Sequence, residues 1–205
     1  MAATTTDHTT KTIAKWLNRG SINIFGMQFS GKDTQAELLA ELFNGAVIGG
    51  GDILRNSTIP KRSQEAINRG DLVPTEDYIS IVLPYLSRSE FSDKPLFLSS
   101  VGRWIGEEKN VLAATKAANH PIKAVVYLTL DKQVALDRLK IAERQREDDY
   151  HENVVRRIED FKNKTLPVLD VYRSMGLLIE IDGQQAPQAV LKDIIDQLYL
   201  RAVRS

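Results

Sequence analysis

The stretch Ser21-Ile22-Asn23-Ile24-Phe25-Gly26-Met27-Gln28-Phe29-Ser30-Gly31-Lys32-Asp33-Thr34-Gln35 decides how this chain is read. Its first six residues form a short apolar run that stops at glycine, which predicts a buried strand. From Gly31 to Phe43, the residues Ala36, Leu38, Leu39 and Leu42 recur at helical spacing and predict a helix. Between the two lies G-x-x-x-x-G-K, with the expected threonine one place late. Four residues between the glycines let the backbone wrap a phosphate with its N–H groups inward. The helix that follows points its N-terminus at the same anion. Lys32 adds a mobile positive charge, and Thr34 offers a hydroxyl to Mg²⁺. A tight turn with an exposed lysine would read the same way in isolation. The strand before and the helix after are the context the motif demands.

Outward from this loop, strands and helices alternate. Short strands are predicted at 46–48, ended by Gly49-Gly50-Gly51, and at 95–100, 124–130 and 177–181. Residues 52–90 are mostly helical in pattern, broken by Pro60, Gly70, Pro74 and Pro84. Helices are also predicted after residue 130, over 152–175 with Pro167 inside, and over 187–203. This alternation predicts an α/β fold with a mainly parallel sheet, whose ligands sit at the carboxyl ends of the strands. The segments 26–34, 49–55, 99–107 and 144–157 all follow strand ends or the helices after them. The polar, Thr-rich residues 1–10 read as a disordered tail, with a short packing helix through Ile13, Trp16 and Leu17.

Whole-chain properties narrow the class. Lys plus Arg number 27 and Asp plus Glu 27, a balance that argues against a general nucleic-acid or membrane binder. With no cysteine, disulfides and thiolate zinc sites are excluded. No apolar run reaches the roughly 18 residues of a membrane span. The first residues hold no apolar signal core, so the expected compartment is the cytoplasm. His8, His120 and His151 form no triad or metal-ligand spacing, and hydrolase chemistry has no support. His120 reads as a loop residue, and Trp104 as packing near the site.

At this point the residues resemble one family. Gly31-Lys32-Asp33-Thr34-Gln35 resembles the G-K-G-T-Q of adenylate kinases. Gly51-Asp52-Ile53-Leu54-Arg55 is similar to that family's G-D-x-L-R, and Gly70-Asp71-Leu72-Val73-Pro74 to its G-x-L-V-P. Arg103 follows the third strand where the family has F-P-R. Arg146-Glu147-Asp148-Asp149, with Arg157 eleven places after Arg146, is similar to its R-x-D-D and later arginine. The matches run in family order from about residue 21 to 200.

The resemblance implies a P-loop NTPase-type three-layer α/β/α fold with a five-stranded parallel sheet. It implies an N-terminal extension over 1–20 and a kinase domain over 21–205. Within that domain it implies a monophosphate-binding insertion at about 49–82 and a short lid at about 142–152. It implies transfer of the γ-phosphoryl group from Mg-ATP to a nucleoside monophosphate, with AMP first and the protein a monomer.

The resemblance also implies the site. ATP is held by Gly26, Phe29, Ser30, Gly31, Lys32, Asp33, Thr34 and Arg138. The monophosphate is held by Gly50, Arg55, Asp71, Leu72, Val73, Ser100, Arg103 and Glu107. Lys32, Arg103, Arg144, Arg146 and Arg157 converge on the transferring group, and Thr34 and Asp33 face the Mg²⁺. Arg144 stands for the first lid arginine. Asp148 and Asp149 orient lid arginines by ion pairing. Arginine suits this work because its fork binds two phosphate oxygens at once.

Three departures from the pattern bear on activity. Gln28 and Phe29 stand where the family has proline and a second glycine. Asp33 replaces a glycine beside the phosphates. Ser99-Ser100 replaces the Asp-Gly whose aspartate orders water around Mg²⁺. One acidic group disappears and another appears near the same ion, so Asp33 is expected to take over part of that role. At the base, Glu107 stands in place of an adenine-reading glutamine. An ionised carboxylate only accepts hydrogen bonds, which suits guanine. Gly50 replaces a hydroxyl residue there. GMP, dGMP or a pyrimidine monophosphate stays open beside AMP. A nucleotide-binding module without turnover also stays open, as does a kinase for another metabolite.

Overall fold

The computed structural model describes residues 2–141 and 151–205, and the side chains of 7–141 and 153–205. Its strands are β1 (Ser21–Gly26), β2 (Ala46–Gly49), β3 (Leu96–Ser99), β4 (Ile122–Thr129) and β5 (Leu178–Asp182). They form one sheet in the order β2-β3-β1-β4-β5, with every pairing parallel. All five predicted strands are present, each end within two residues of its expected place.

A parallel sheet covered on both faces needs apolar residues pointing both ways, so its strands read as continuous apolar runs. In β1, Ile22 and Ile24 point to one face while Phe25 points to the other. On the first face lie α1 (Ala2–Leu17), α2 (Lys32–Phe43) and α10 (Pro187–Arg204), packed through Leu17, Leu39 and Ile194 among others. On the second face lie α3 (Gly50–Arg55), α4 (Lys61–Arg69), α5 (Thr75–Val82), α6 (Glu107–Ala117), α7 (Lys132–Ile141), α8 (His151–Asp160) and α9 (Leu166–Ser174). The result is the expected three-layer α/β/α arrangement.

The expected disordered tail is a correction. Helix α1 starts at Ala2, where composition alone reads as a tail over 1–10. The apolar stripe of Ile13 and Leu17 is fully buried. The His8 ring also meets Tyr199 of α10 edge-on, with centroids 6.4 Å apart. Contact with α10 therefore stabilises a segment whose own helix propensity is weak.

Between α8 and α9 the chain forms one π-helical turn, Phe161–Thr165. Pro167 follows at once and lacks the N–H that a regular helix would direct back to Asn163, so the ladder is interrupted here. His120 lies on the turn before β4, at the opposite end of the sheet from the phosphate loop. It is buried, with Nδ1 2.7 Å from the Arg19 carbonyl oxygen.

Candidate active site

The loop between β1 and α2 is shaped by its glycines and by one residue that is not glycine. A side chain at Gly26 would place its Cβ 2.2 Å from Ser30 Oγ, so the turn can close only on glycine. Gly31 caps α2 in the left-handed region, with φ of 86°. Phe29 also has a positive φ, 66°, which is rare for a bulky residue. Ser100 repeats the situation at the end of β3, with φ of 50°. At both places the resemblance sets a residue with a Cβ where the family carries glycine, and the fold keeps the glycine-like backbone. Ser30 Oγ is buried and has no hydrogen-bond partner among the described residues.

Arg138 reaches this loop from α7. Its Nη1 donates to the Phe29 carbonyl at 2.9 Å, and its Nη2 donates to the carbonyls of Gly183 at 2.9 Å and Gln184 at 3.2 Å. The guanidinium braces the loop's backbone against the turn after β5. Thr34 lies in the first turn of α2 and is exposed.

A cleft opens beside the loop at the carboxyl ends of β1, β2 and β3. Lys32 and Asp33 form one wall. Asp52, Leu54 and Arg55 come from α3, Ile67 from α4 and Tyr78 from α5. Asp71, Leu72 and Val73 come from the turn between α4 and α5. Ser99, Ser100, Arg103 and Trp104 come from the end of β3 and the loop after it, and Arg157 projects from α8. Segments far apart in the chain thus bring Lys32, Asp33, Arg55, Asp71, Leu72, Val73, Ser100, Arg103 and Arg157 to one surface. Arg144, Arg146 and the expected lid lie outside the described residues, save for the start of α8.

The cationic side chains of the cleft are poised for an anion. Burial, and after it the neighbouring Arg157, lower the pKa of the Arg103 guanidinium to about 10. Its Nε is buried without a hydrogen-bond partner among the described residues. Arg55 is held by Asp52, Nη2 to Oδ1 at 2.6 Å, and Arg157 Nε donates to the Gly70 carbonyl at 3.2 Å. A phosphate entering here would meet two guanidinium groups that repel each other, and would relieve that repulsion.

Trp104 closes the apolar side. Its indole N–H donates to the Val73 carbonyl at 3.3 Å, and Lys164 from the π-helical turn lies over its ring, 4.7 Å from the centroid.

Two residues expected near the base, Glu107 and Gly50, are not among those lining this cleft. Glu107 is buried, and its Oε2 accepts the backbone N–H groups of Arg103 at 2.8 Å and Trp104 at 3.0 Å. Burial raises its pKa above the usual carboxylate range, and those two N–H groups act against the rise. The left-handed turn at Gly106, φ 94°, carries the chain into α6 so that this carboxylate faces back over its own loop. Gly50 is buried under Tyr78, which sequence reading did not single out. A Cβ at Gly50 would lie 2.5 Å from the Tyr78 hydroxyl oxygen. No local signal marks Tyr78, because it reaches the cleft from a different helix.

Ser99, which stands where the resemblance sets an aspartate, meets the acidic side chain of Asp33. Ser99 Oγ donates to Asp33 Oδ1 at 2.5 Å, and Asp33 Oδ2 lies 3.3 Å from Lys32 Nζ. The chemistry of this set fits Mg²⁺, which takes one or two carboxylates and keeps several waters.

A family model described as "Adenylate kinase" matches residues 24–177. The chain belongs to the adenylate kinase family. As a member of it, the chain is an enzyme, a nucleoside monophosphate kinase. Among curated adenylate kinases, that of Azobacteroides pseudotrichonymphae genomovar. CFP2 is 31% identical over 186 residues, covering 87% of this chain and 96% of the relative. That of Bifidobacterium longum (strain NCC 2705) is 33% identical, covering 78% and 89%. That of Prochlorococcus marinus (strain MIT 9211) is 32% identical, covering 76% and 84%. The adenylate kinase match spans the phosphate loop, the cleft and α8 together.

Proposed function

We propose that this chain transfers the γ-phosphoryl group of ATP reversibly to AMP, giving two ADP. The observation that carries the proposal is the single cleft joining Lys32 of the phosphate loop to Arg55, Arg103 and Arg157. Phosphoryl transfer asks little covalent chemistry of a protein. It asks that two substrates be held in line and that positive charge surround the moving group.

The residues divide that work. Gly26 to Thr34 cradle the triphosphate with backbone N–H groups and the N-terminus of α2, while Arg138 holds the loop in shape. Lys32 meets the transferring phosphate. Arg55 exchanges Asp52 for the phosphate of the monophosphate, and Arg103 binds the same group from the other side. Asp71, Leu72 and Val73 flank its sugar and base, with Tyr78 and Trp104 as the apolar wall. Arg157 advances on the transferring group from α8, and Arg144 and Arg146 join it from the lid. Asp33 and Thr34 would hold Mg²⁺, which when bound would neutralise charge on the phosphates. Only small-molecule nucleotides are partners in this reading, and the protein acts as a cytoplasmic monomer.

The test is a panel of nucleoside monophosphates with Mg-ATP, read by coupled ADP formation. Turnover of AMP well above GMP, dGMP, CMP and UMP is expected. Preferred turnover of a guanine or pyrimidine monophosphate would replace AMP in the proposal. Nucleotide binding without turnover would leave a binding module.

A further inference from the structure

Lys32 and Asp33 are adjacent in sequence and opposite in charge, and both face the cleft. Among the described residues, two groups hold the Asp33 carboxylate. Ser99 Oγ, at the end of β3, donates to Oδ1 at 2.5 Å, and Lys32 Nζ lies 3.3 Å from Oδ2. The Asp33 side chain is 47% exposed, whereas that of Lys32 is 20% exposed. The carboxylate therefore stands on the solvent side of the lysine, where an arriving triphosphate would come.

A fixed carboxylate in this position acts with opposite sign on two forms of the same nucleotide. It repels a bare triphosphate and already occupies part of the field of Lys32. It attracts a triphosphate that carries a divalent cation, because it supplies the hard oxygen donor such a cation accepts. Drawing Asp33 toward the cation also loosens its hold on Lys32, which is then released to the phosphate.

We propose that the Ser99–Asp33 pair makes triphosphate capture conditional on the nucleotide's divalent cation, so that metal-free ATP is rejected at the binding step. The proposal rests on the nucleotide reading of the phosphate loop and adds a regulation of that site. For a half-exposed carboxylate near a phosphate, the repulsion corresponds to about a tenfold change in affinity.

The experiment is calorimetric titration of the full chain with ATP, once with Mg²⁺ and once with excess EDTA. Asp33→Asn and Ser99→Ala are titrated in the same way, and their folding is checked by circular dichroism. The amide introduced by Asp33→Asn still accepts from Ser99 but carries no charge. The unsubstituted protein is expected to bind Mg-ATP about tenfold more tightly than metal-free ATP. Asp33→Asn should bind metal-free ATP about tenfold more tightly than the unsubstituted protein does, so that its own ratio falls toward one. Ser99→Ala keeps the charge but loses the tether, and its ratio should lie between. Equal ratios for the unsubstituted protein and Asp33→Asn would overturn the gate while leaving the phosphate loop in place. Failure of the unsubstituted protein to bind either form would overturn the phosphate-loop reading and the gate together.

Discussion

The Tyr78 hydroxyl accepts the backbone N–H of Gly102 at 3.1 Å and fills the space into which a side chain at residue 50 would project. One phenol thus joins three segments: the start of α3, the middle of α5 and the loop that carries Arg103. Burial raises the pKa of this hydroxyl above the ordinary tyrosine value, so it stays protonated throughout the neutral range. Gly50→Ala should lower stability by about 1–3 kcal/mol through overpacking. Removing the hydroxyl in Tyr78→Phe should recover part of that loss. The ring carbons would still lie 3.1–3.2 Å from the new Cβ, so recovery stays incomplete. A double-mutant cycle by urea unfolding measures the coupling, and strictly additive effects would sink the argument.

Arg103 should act on turnover more than on substrate affinity. The pKa of its guanidinium is lowered by burial and by Arg157, a destabilisation that an arriving phosphate relieves. Arg103→Lys keeps the charge but loses the fork that binds two oxygens. A fall in kcat of about 10²–10³ is expected, the usual effect of removing one preorganised donor. Steady-state kinetics with the monophosphate varied provide the check. A change confined to KM would show that Arg103 only binds substrate.

Arg138 presents the opposite case, a cation whose effect is on the loop rather than on the chemistry. Its fork holds three backbone carbonyls, those of Phe29, Gly183 and Gln184. Lysine cannot reproduce that geometry. Arg138→Lys should raise the KM for ATP about tenfold and lower stability by about 1.5–3 kcal/mol, the range for hydrogen bonds to a charged donor. The kcat should change less than the KM does. Loss of kcat with an unchanged KM would place this guanidinium on the transferring phosphate instead.

Glu107 carries a pH signature. Its pKa is raised in the folded state, mainly by burial, so the folded protein holds this proton more firmly than the unfolded chain. The associated stability is fully present below the ordinary glutamate range, and is lost as pH rises through the raised folded value. Glu107→Gln keeps an oxygen for the N–H groups of Arg103 and Trp104 and has no charge to bury. Its melting temperature should exceed that of the unsubstituted protein at about pH 8, and the gap should narrow toward about pH 4. The order of preference among monophosphates should not change. A switch of base preference in Glu107→Gln would return this carboxylate to the role of base reader.

How much of this was legible beforehand depends on the range of the interaction. Local periodicity located all five strands, because each is an apolar run cut off by a glycine, proline or polar turn. The phosphate loop was legible for the same reason, since its spacing is set by the reach of consecutive backbone N–H groups. The helix at Ala2–Leu17 was missed at its start because its stability comes from α10, at the other end of the chain. Glu107 was expected at the base because the resemblance aligns it with a base-reading glutamine. The left-handed turn at Gly106 then brings the Oε2 of Glu107 to the backbone N–H groups of Arg103 and Trp104, a contact no local pattern announces.

Sequence alone determined the fold class and the phosphate loop, which follow from periodicity and a short motif, while most residues of the cleft were implied by the resemblance to adenylate kinases. Tertiary structure alone decided three things: that Asp33 meets Ser99, that Tyr78 covers Gly50, and that Arg138 braces the Phe29 carbonyl. Each joins groups 28 to 109 positions apart, counted from their residue numbers. The physical reason is that charge, size and hydrogen-bonding capacity are written in a residue, whereas its neighbour is chosen by how the sheet and helices pack.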